Sequence, residues 1–167
     1  MKSLFLAAIF VIGCYLTSFA QPKQAIYKAA YSADFKMGNN ALATKVLELW
    51  KDWDDNAFER HDYFADTVVM FFPQGGMVKG KKAAMDSAQR YRNMVSKVVS
   101  TVHAWVPMYS NDRKENTVLI WGTEENTAPD GKVTHRDIHE VWWFNKDGKV
   151  SAMRQWTANF SDTAPQN

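Results

Sequence analysis

The sequence predicts an α+β domain: a cone-shaped, curved antiparallel sheet packed on N-terminal helices. Three observations predict it. Apolar residues at helical spacing are confined to the stretch between residues 41 and 95. Four long β-rich segments follow it. Clusters of Asn, Asp, Pro and Gly separate those segments.

The elements follow in order. Gly38-Asn39-Asn40 breaks the chain before a helix. From Ala41 to Asn56, Leu42, Val46, Leu49, Trp50 and Trp53 recur at intervals of three and four, an amphipathic helix. Asp54, Asp55 and Asn56 form helix poorly and end it. A short second helix is expected from Ala57 to Tyr63. The stretch Asp66 to Phe72 is rich in β-formers, closed by Pro73 and Gly75-Gly76, with Met77 to Lys79 pairing back. Lys81 to Val95 reads as a further helix with Ala84, Ala88, Tyr91 and Val95 on one stripe. The β segments are Val98–Met108, Asn116–Asn126, Val133–Asn145 and Val150–Phe160. Their turns lie at Asn111-Asp112, Pro129-Asp130-Gly131 and Asn145-Lys146-Asp147-Gly148. Helices first and a meander last give a sheet with one face covered and an interior cavity at its open end.

The flanks are read separately. Lys2 precedes an apolar run from Leu4 to Leu16, followed by Thr17-Ser18-Phe19-Ala20 and then Gln21-Pro22, the pattern of a cleaved signal peptide over residues 1–20. The run is too short for a permanent membrane span, which needs about 20 apolar residues. A competing cut stays open, since Val11-Ile12-Gly13-Cys14 has the form of a lipoprotein box with Cys14 as the anchor. Both cuts export the protein, to a periplasmic or secreted destination. Residues 21–40 form an irregular or partly helical arm, residues 41–160 the domain, and residues 161–167 a tail.

Composition excludes several function classes. Cys14 is the only cysteine, so a core rather than disulfides must hold the fold. Net charge is +2 with no basic run, which argues against nucleic acid or an anionic membrane as partner. All seven tryptophans lie after residue 20, which calls for a large aromatic core, an aromatic-lined pocket or an oligomer face.

Certain residues carry a family likeness. Trp50 to Asp55, Phe64-Ala65-Asp66 leading into a strand, Pro73, Gly80 before a helix, and Phe144-Asn145-Lys146-Asp147-Gly148-Lys149-Val150 followed by Met153-Arg154 resemble the nuclear-transport-factor-2-like (SnoaL-like) superfamily over Ala41 to Phe160. The resemblance implies a half-barrel with a pocket, not a reaction. In ketosteroid isomerases of that superfamily an Asp base directly precedes the proline after the first long strand. Phe72 stands there in this chain. The helix-borne Tyr donor is replaced by the neighbourhood of Leu49 and Trp50. The acid of the penultimate strand matches Glu140. The last-strand acid of SnoaL-type cyclases, near a Trp, is Gln155 beside Trp156. One expected acid is kept and the others are absent, which argues against steroid isomerisation.

Strand parity supports the same site independently. Ile138, Glu140, Trp142 and Phe144 share one face. If that face looks inward, Glu140 is an acid in an aromatic wall, set opposite Met153 and diagonal to Gln155, with Thr157 on the same face. Desolvation would raise its pKa. Three roles stay open for it. It can be the acid or base of a metal- and cofactor-independent isomerase, lyase or hydrolase. It can contact a ligand without catalysis. It can be a buried carboxylate satisfied by Gln155, Tyr91, a Trp N–H or water. The expected pocket wall is Trp50, Phe72, Tyr91, Trp121, Ile138, Trp142, Met153, Gln155 and Thr157.

The histidines yield less. His135 and His139 would lie about 13 Å apart on a strand, so no metal site is expected. His61 and Asp62, adjacent on a helix, would point apart as a solvated face. His103 either reaches the pocket or sits on the sheet surface. Trp143, Arg154 and Trp156 fall on the outward parity, which predicts a homodimer through that face. The alternative cover is the N-terminal arm through Tyr27 or Tyr31.

Overall fold

A computed structural model describes residues 26–159. The proposed signal peptide, the lipid-anchor alternative at Cys14 and the C-terminal tail lie outside those residues. The folded unit begins at Tyr31.

Its elements are β1 (Phe35–Met37), α1 (Asn40–Asp55), β2 (Phe64–Phe71), β3 (Met77–Lys79), α2 (Lys81–Arg92), β4 (Lys97–Ser110), β5 (Glu115–Thr127), β6 (Val133–Phe144) and β7 (Val150–Asn159). The strands form one sheet in the order β1-β4-β5-β6-β7-β2-β3. Every pairing is antiparallel except β2 with β7, which is parallel. The sheet is therefore mixed, with β7 in its interior.

Local chemistry sets the ends of α1. The Asn39 side chain accepts from the Ala41 N–H at 2.9 Å, an N-cap bond, and Asn56 closes the helix in the left-handed conformation (φ 55°). Leu42, Ala43, Val46, Leu49 and Trp50 are buried against Val118, Ile120, Trp142, Phe144 and Val150 of the sheet. α2 ends at Arg92 rather than Val95, and the buried Arg92 is used elsewhere. Its Nε and Nη2 donate to the carbonyls of Trp53 and Asp54 at 2.9 and 3.0 Å. These are carbonyls of the last turn of α1, where a cation is favoured.

Three sequence expectations are corrected. The segment after α1, Ala57 to Tyr63, is an irregular loop and not a helix. It is held by tertiary bonds: Arg60 and His61 reach back to Asp52 and Asp55, and Tyr63 Oη donates to Glu48 at 2.6 Å. The N-terminal arm contains a strand, β1, and just after it the Gly38 N–H donates to the Pro107 carbonyl. A Cβ on Gly38 would stand 2.8 Å from the Met108 backbone, so the close approach requires glycine. Finally, Glu140 pairs with Gln155 directly, and Met153 pairs with Trp142. The turn offsets the register by one residue, pairing Phe144 with Val150, and a bulge between Trp143 and Phe144 adds a second, so β7 slides by two from the simple hairpin register. A slide of two keeps every side chain on its face.

Candidate functional site

The inward positions of β5 and β6, the wall of α1 and one side of α2 enclose a cavity of about 350 Å³, within the size range of small-molecule pockets. Pro73, Gln74, Tyr91, Met94 and Thr134 are its exposed lining residues and mark the mouth. Phe72 and Tyr91 meet there with ring centroids 6.3 Å apart.

Glu140 lies deep in this cavity, 5 % exposed. Its Oε2 accepts from Trp50 Nε1 at 2.6 Å and from Trp142 Nε1 at 2.9 Å, while its Oε1 accepts from Gln155 Nε2 at 2.8 Å. All three donors are neutral. Burial pushes the Glu140 carboxyl above the ordinary carboxylate range, the Trp50, Gln155 and Trp142 N–H groups pull it back, and the charge of Glu124 adds to the rise. The result is an acid that can hold a proton at higher pH than a surface glutamate, or accept hydrogen bonds from a bound molecule.

A second polar cluster lies two rungs along the same sheet face, where Glu124 pairs with Arg136. Glu124 Oε2 accepts from Trp53 Nε1 at 2.8 Å. Its Oε1 accepts from Arg136 Nε at 2.9 Å, from Arg136 Nη2 and from Asn126 Nδ2. A third buried carboxylate, Asp52 on α1, also borders the cavity. It lies 2.7 Å from His61 Nδ1 and 3.2 Å from Arg60 Nη1. His61 therefore has an acidic partner, but it is Asp52. Asp62 faces solvent, where Lys81 and Lys149 hold its carboxyl below the usual range.

Of the expected wall, Trp50, Phe72, Tyr91, Ile138, Trp142, Met153 and Gln155 line the cavity together with Glu140. Two do not. Trp121 is on the opposite face: Ile120 pairs with Glu140, so the even positions of β5 look inward and Trp121 looks out, 38 % exposed. Thr157 shares the inward parity and pairs with Ile138, but the cavity drifts away from β7 at this rung, towards Glu124 and Asn126 on β5. Glu124, Asn126, Arg136 and Asp52 were missed. The parity rule that found Glu140 on β6, applied to β5, selects Val118, Ile120, Gly122, Glu124 and Asn126.

The outer face carries a row of its own. Trp121, His139 and Trp156 are cross-strand neighbours, with centroids 6.0 and 5.8 Å apart, and Arg154 lies over Phe71 and Trp156 at 4.5 and 5.9 Å. Trp143 is instead half-buried beneath Tyr31, whose hydroxyl donates to Glu115. Burial and Glu115 push the Tyr31 phenol up to about 12. His135 stands near Glu125 at 3.7 Å, and His103 is exposed at a bulge of β4. Among the described residues no cluster of His, Cys, Asp and Glu is arranged to hold a metal ion, and no helix is long and apolar enough to cross a membrane.

No family model matches the sequence, and no curated protein matches it. Solved structures do match in fold. An NTF2-like protein of unknown function from Exiguobacterium sp. 255-15 is 17 % identical, with 69 % of this chain and 98 % of that one covered at a TM-score of 0.58. TerC, co-crystallised with polyporic acid, is 16 % identical over 70 % of this chain and 91 % of its own, TM-score 0.55. SalBIII, an epoxide hydrolase/cyclase-like enzyme in pyran ring formation in the polyether salinomycin, is 16 % identical over 71 % and 92 %, TM-score 0.54. The chain has the nuclear-transport-factor-2-like fold.

Proposed function

We propose that this is an exported protein whose aromatic-lined cavity binds a small, largely apolar molecule through Glu140. One observation carries the reading: a buried carboxylate at the cavity wall, held by three neutral N–H donors and no cation. A purely structural carboxylate is ordinarily neutralised by a cation, as Glu124 is. A charge left without one responds to what enters the cavity. Two proteins of this fold, SalBIII and TerC, are described with small organic molecules, which fits a ligand of that kind.

Acid–base turnover is the second reading, favoured by the raised Glu140 pKa. The site would then run an isomerisation, elimination or hydrolysis with Glu140 moving the proton. Both readings are tested by native mass spectrometry of the protein taken from its own envelope, followed by Glu140→Gln. A co-purified molecule names the ligand class. The Gln variant is expected to retain that molecule and, for an enzyme, to lose turnover by a factor of about 100 or more. An empty cavity that takes up no apolar molecule from solution sinks the proposal.

The outer row of Trp121, His139, Arg154 and Trp156 is the proposed homodimer face. Trp156 is 46 % exposed there, and no described part of the chain covers it as Tyr31 covers Trp143. Sedimentation at micromolar concentration should give a dimer, and Trp156→Glu a monomer. A wild-type monomer disproves the assignment.

A further inference from the structure

We propose that Asn126 and Arg136 form a second ligand subsite at the solvent end of the cavity, built to take a hydroxyl group. The proposal rests on the ligand-binding reading above and extends it to the chemical class of the ligand. Asn126 is buried and its Oδ1 has no hydrogen-bond partner among the described residues. Its Nδ2 donates to Glu124 Oε1. Exchanging the two amide atoms would turn an acceptor against that carboxylate, so the charge of Glu124 fixes the amide with Oδ1 free. A buried, unpartnered acceptor is costly unless a donor reaches it.

Arg136 supplies the complementary group. Its Nε and Nη2 both bond Glu124 Oε1, the same oxygen that Asn126 holds. The guanidinium and the amide therefore meet at one carboxylate oxygen, and Nη1 has no hydrogen-bond partner among the described residues. The Arg136 side chain is 32 % exposed, so this end of the cavity is reachable. A hydroxyl is the smallest group that donates to Oδ1 and keeps lone pairs to offer the guanidinium. A carboxylate would satisfy Nη1 but set another acceptor against Oδ1, beside Glu124. An ammonium would satisfy Oδ1 but oppose Arg136.

Spacing completes the inference. Glu140 and Arg136 are four residues apart on β6, about 13 Å along the strand, with the apolar Ile138 between them. The expected ligand is a flat or alicyclic apolar body with a polar group towards each end: one for Glu140, and a hydroxyl for Asn126 and Arg136.

The test uses the purified chain and two probes: biphenyl hydroxylated at both para ends, and the para-monohydroxy compound. Titration calorimetry should give the diol an affinity about tenfold higher, the size of one or two net hydrogen bonds. In Asn126→Ala, and separately in Arg136→Lys, which keeps a cation for Glu124, that ratio should fall to near one. Near-ultraviolet circular dichroism of the tryptophans checks that each variant is folded. Equal affinity of the two probes for the wild type overturns the hydroxyl subsite and leaves the apolar pocket standing, with water as the partner of Oδ1. No binding of either probe overturns both.

Discussion

Glu140 and Glu124 share one sheet face, two rungs apart, and both are buried to within a few per cent. Each accepts an indole N–H from α1, Trp50 for the first and Trp53 for the second. They differ in their charge partner. Glu124 has Arg136, whereas Glu140 has only neutral donors. Local pairing thus turns two similar carboxylates into a closed ion pair and an open acid. It also shows that burial alone does not mark a reactive group. The informative feature is a buried acid whose burial raises its pKa and which no cation compensates.

The largest effect should come from making Glu124 resemble Glu140. Arg136→Met leaves a buried carboxylate without its cation, and should cost about 3 kcal/mol of stability in urea denaturation. The figure sits at the low end for such pairs because Arg136 is one-third exposed. A loss under about 1 kcal/mol would mean that solvent already screens this pair, and the contrast between the two acids would be weaker than drawn.

The next effect runs through pH. Glu140 has a raised pKa when folded and titrates in the ordinary range when unfolded. Its favourable contribution is complete below that ordinary range. It is lost as pH rises through the folded value, by about 1.4 kcal/mol per unit of displacement. Glu140→Gln removes the titration. The melting temperature of the variant relative to wild type should therefore climb from pH 4 to pH 8. A flat difference would show that the three N–H donors fully offset desolvation, and that Glu140 is ionised at no cost.

The smallest effect sharpens the role of the donors. Gln155→Leu removes the only N–H on Oε1, and should cost about 1 kcal/mol at neutral pH. The cost should shrink at acid pH, where the carboxyl is protonated. A cost that does not change with pH would assign Gln155 to packing rather than to holding the charge.

The sequence disclosed both long helices, the four long strands and part of the cavity wall. The helical stripe of Leu42, Val46, Leu49 and Trp50, the Asn145–Gly148 turn and the parity of Ile138, Glu140 and Trp142 are local signals, and each survives in the fold. What escaped depends on pairing between distant segments. Glu124 is unremarkable in Thr123-Glu124-Glu125 until β5 is set against β6. Trp121 looks like a core residue until Ile120 is found opposite Glu140. Ala57 to Tyr63 has helix-compatible residues, but bonds from Arg60, His61 and Tyr63 back to α1 outweigh so weak a propensity. The turn offset and the bulge after Trp143, which together set Gln155 rather than Met153 beside Glu140, leave no mark that periodicity can read.

The interior place of β7 has a consequence for how the chain acquires its shape. β2 is made early, yet its long-range partner is β7, and the Val150 N–H donates to the Tyr63 carbonyl across most of the domain. Until β7 arrives, β2 and β3 cannot join the β1-β4-β5-β6 portion. The cavity then lacks Met153, and Glu140 lacks Gln155. Such high contact order slows folding and leaves strand edges exposed meanwhile. The domain should gain stability late and all at once. A nascent chain stopped before Val150 should be protease-sensitive throughout rather than half-built.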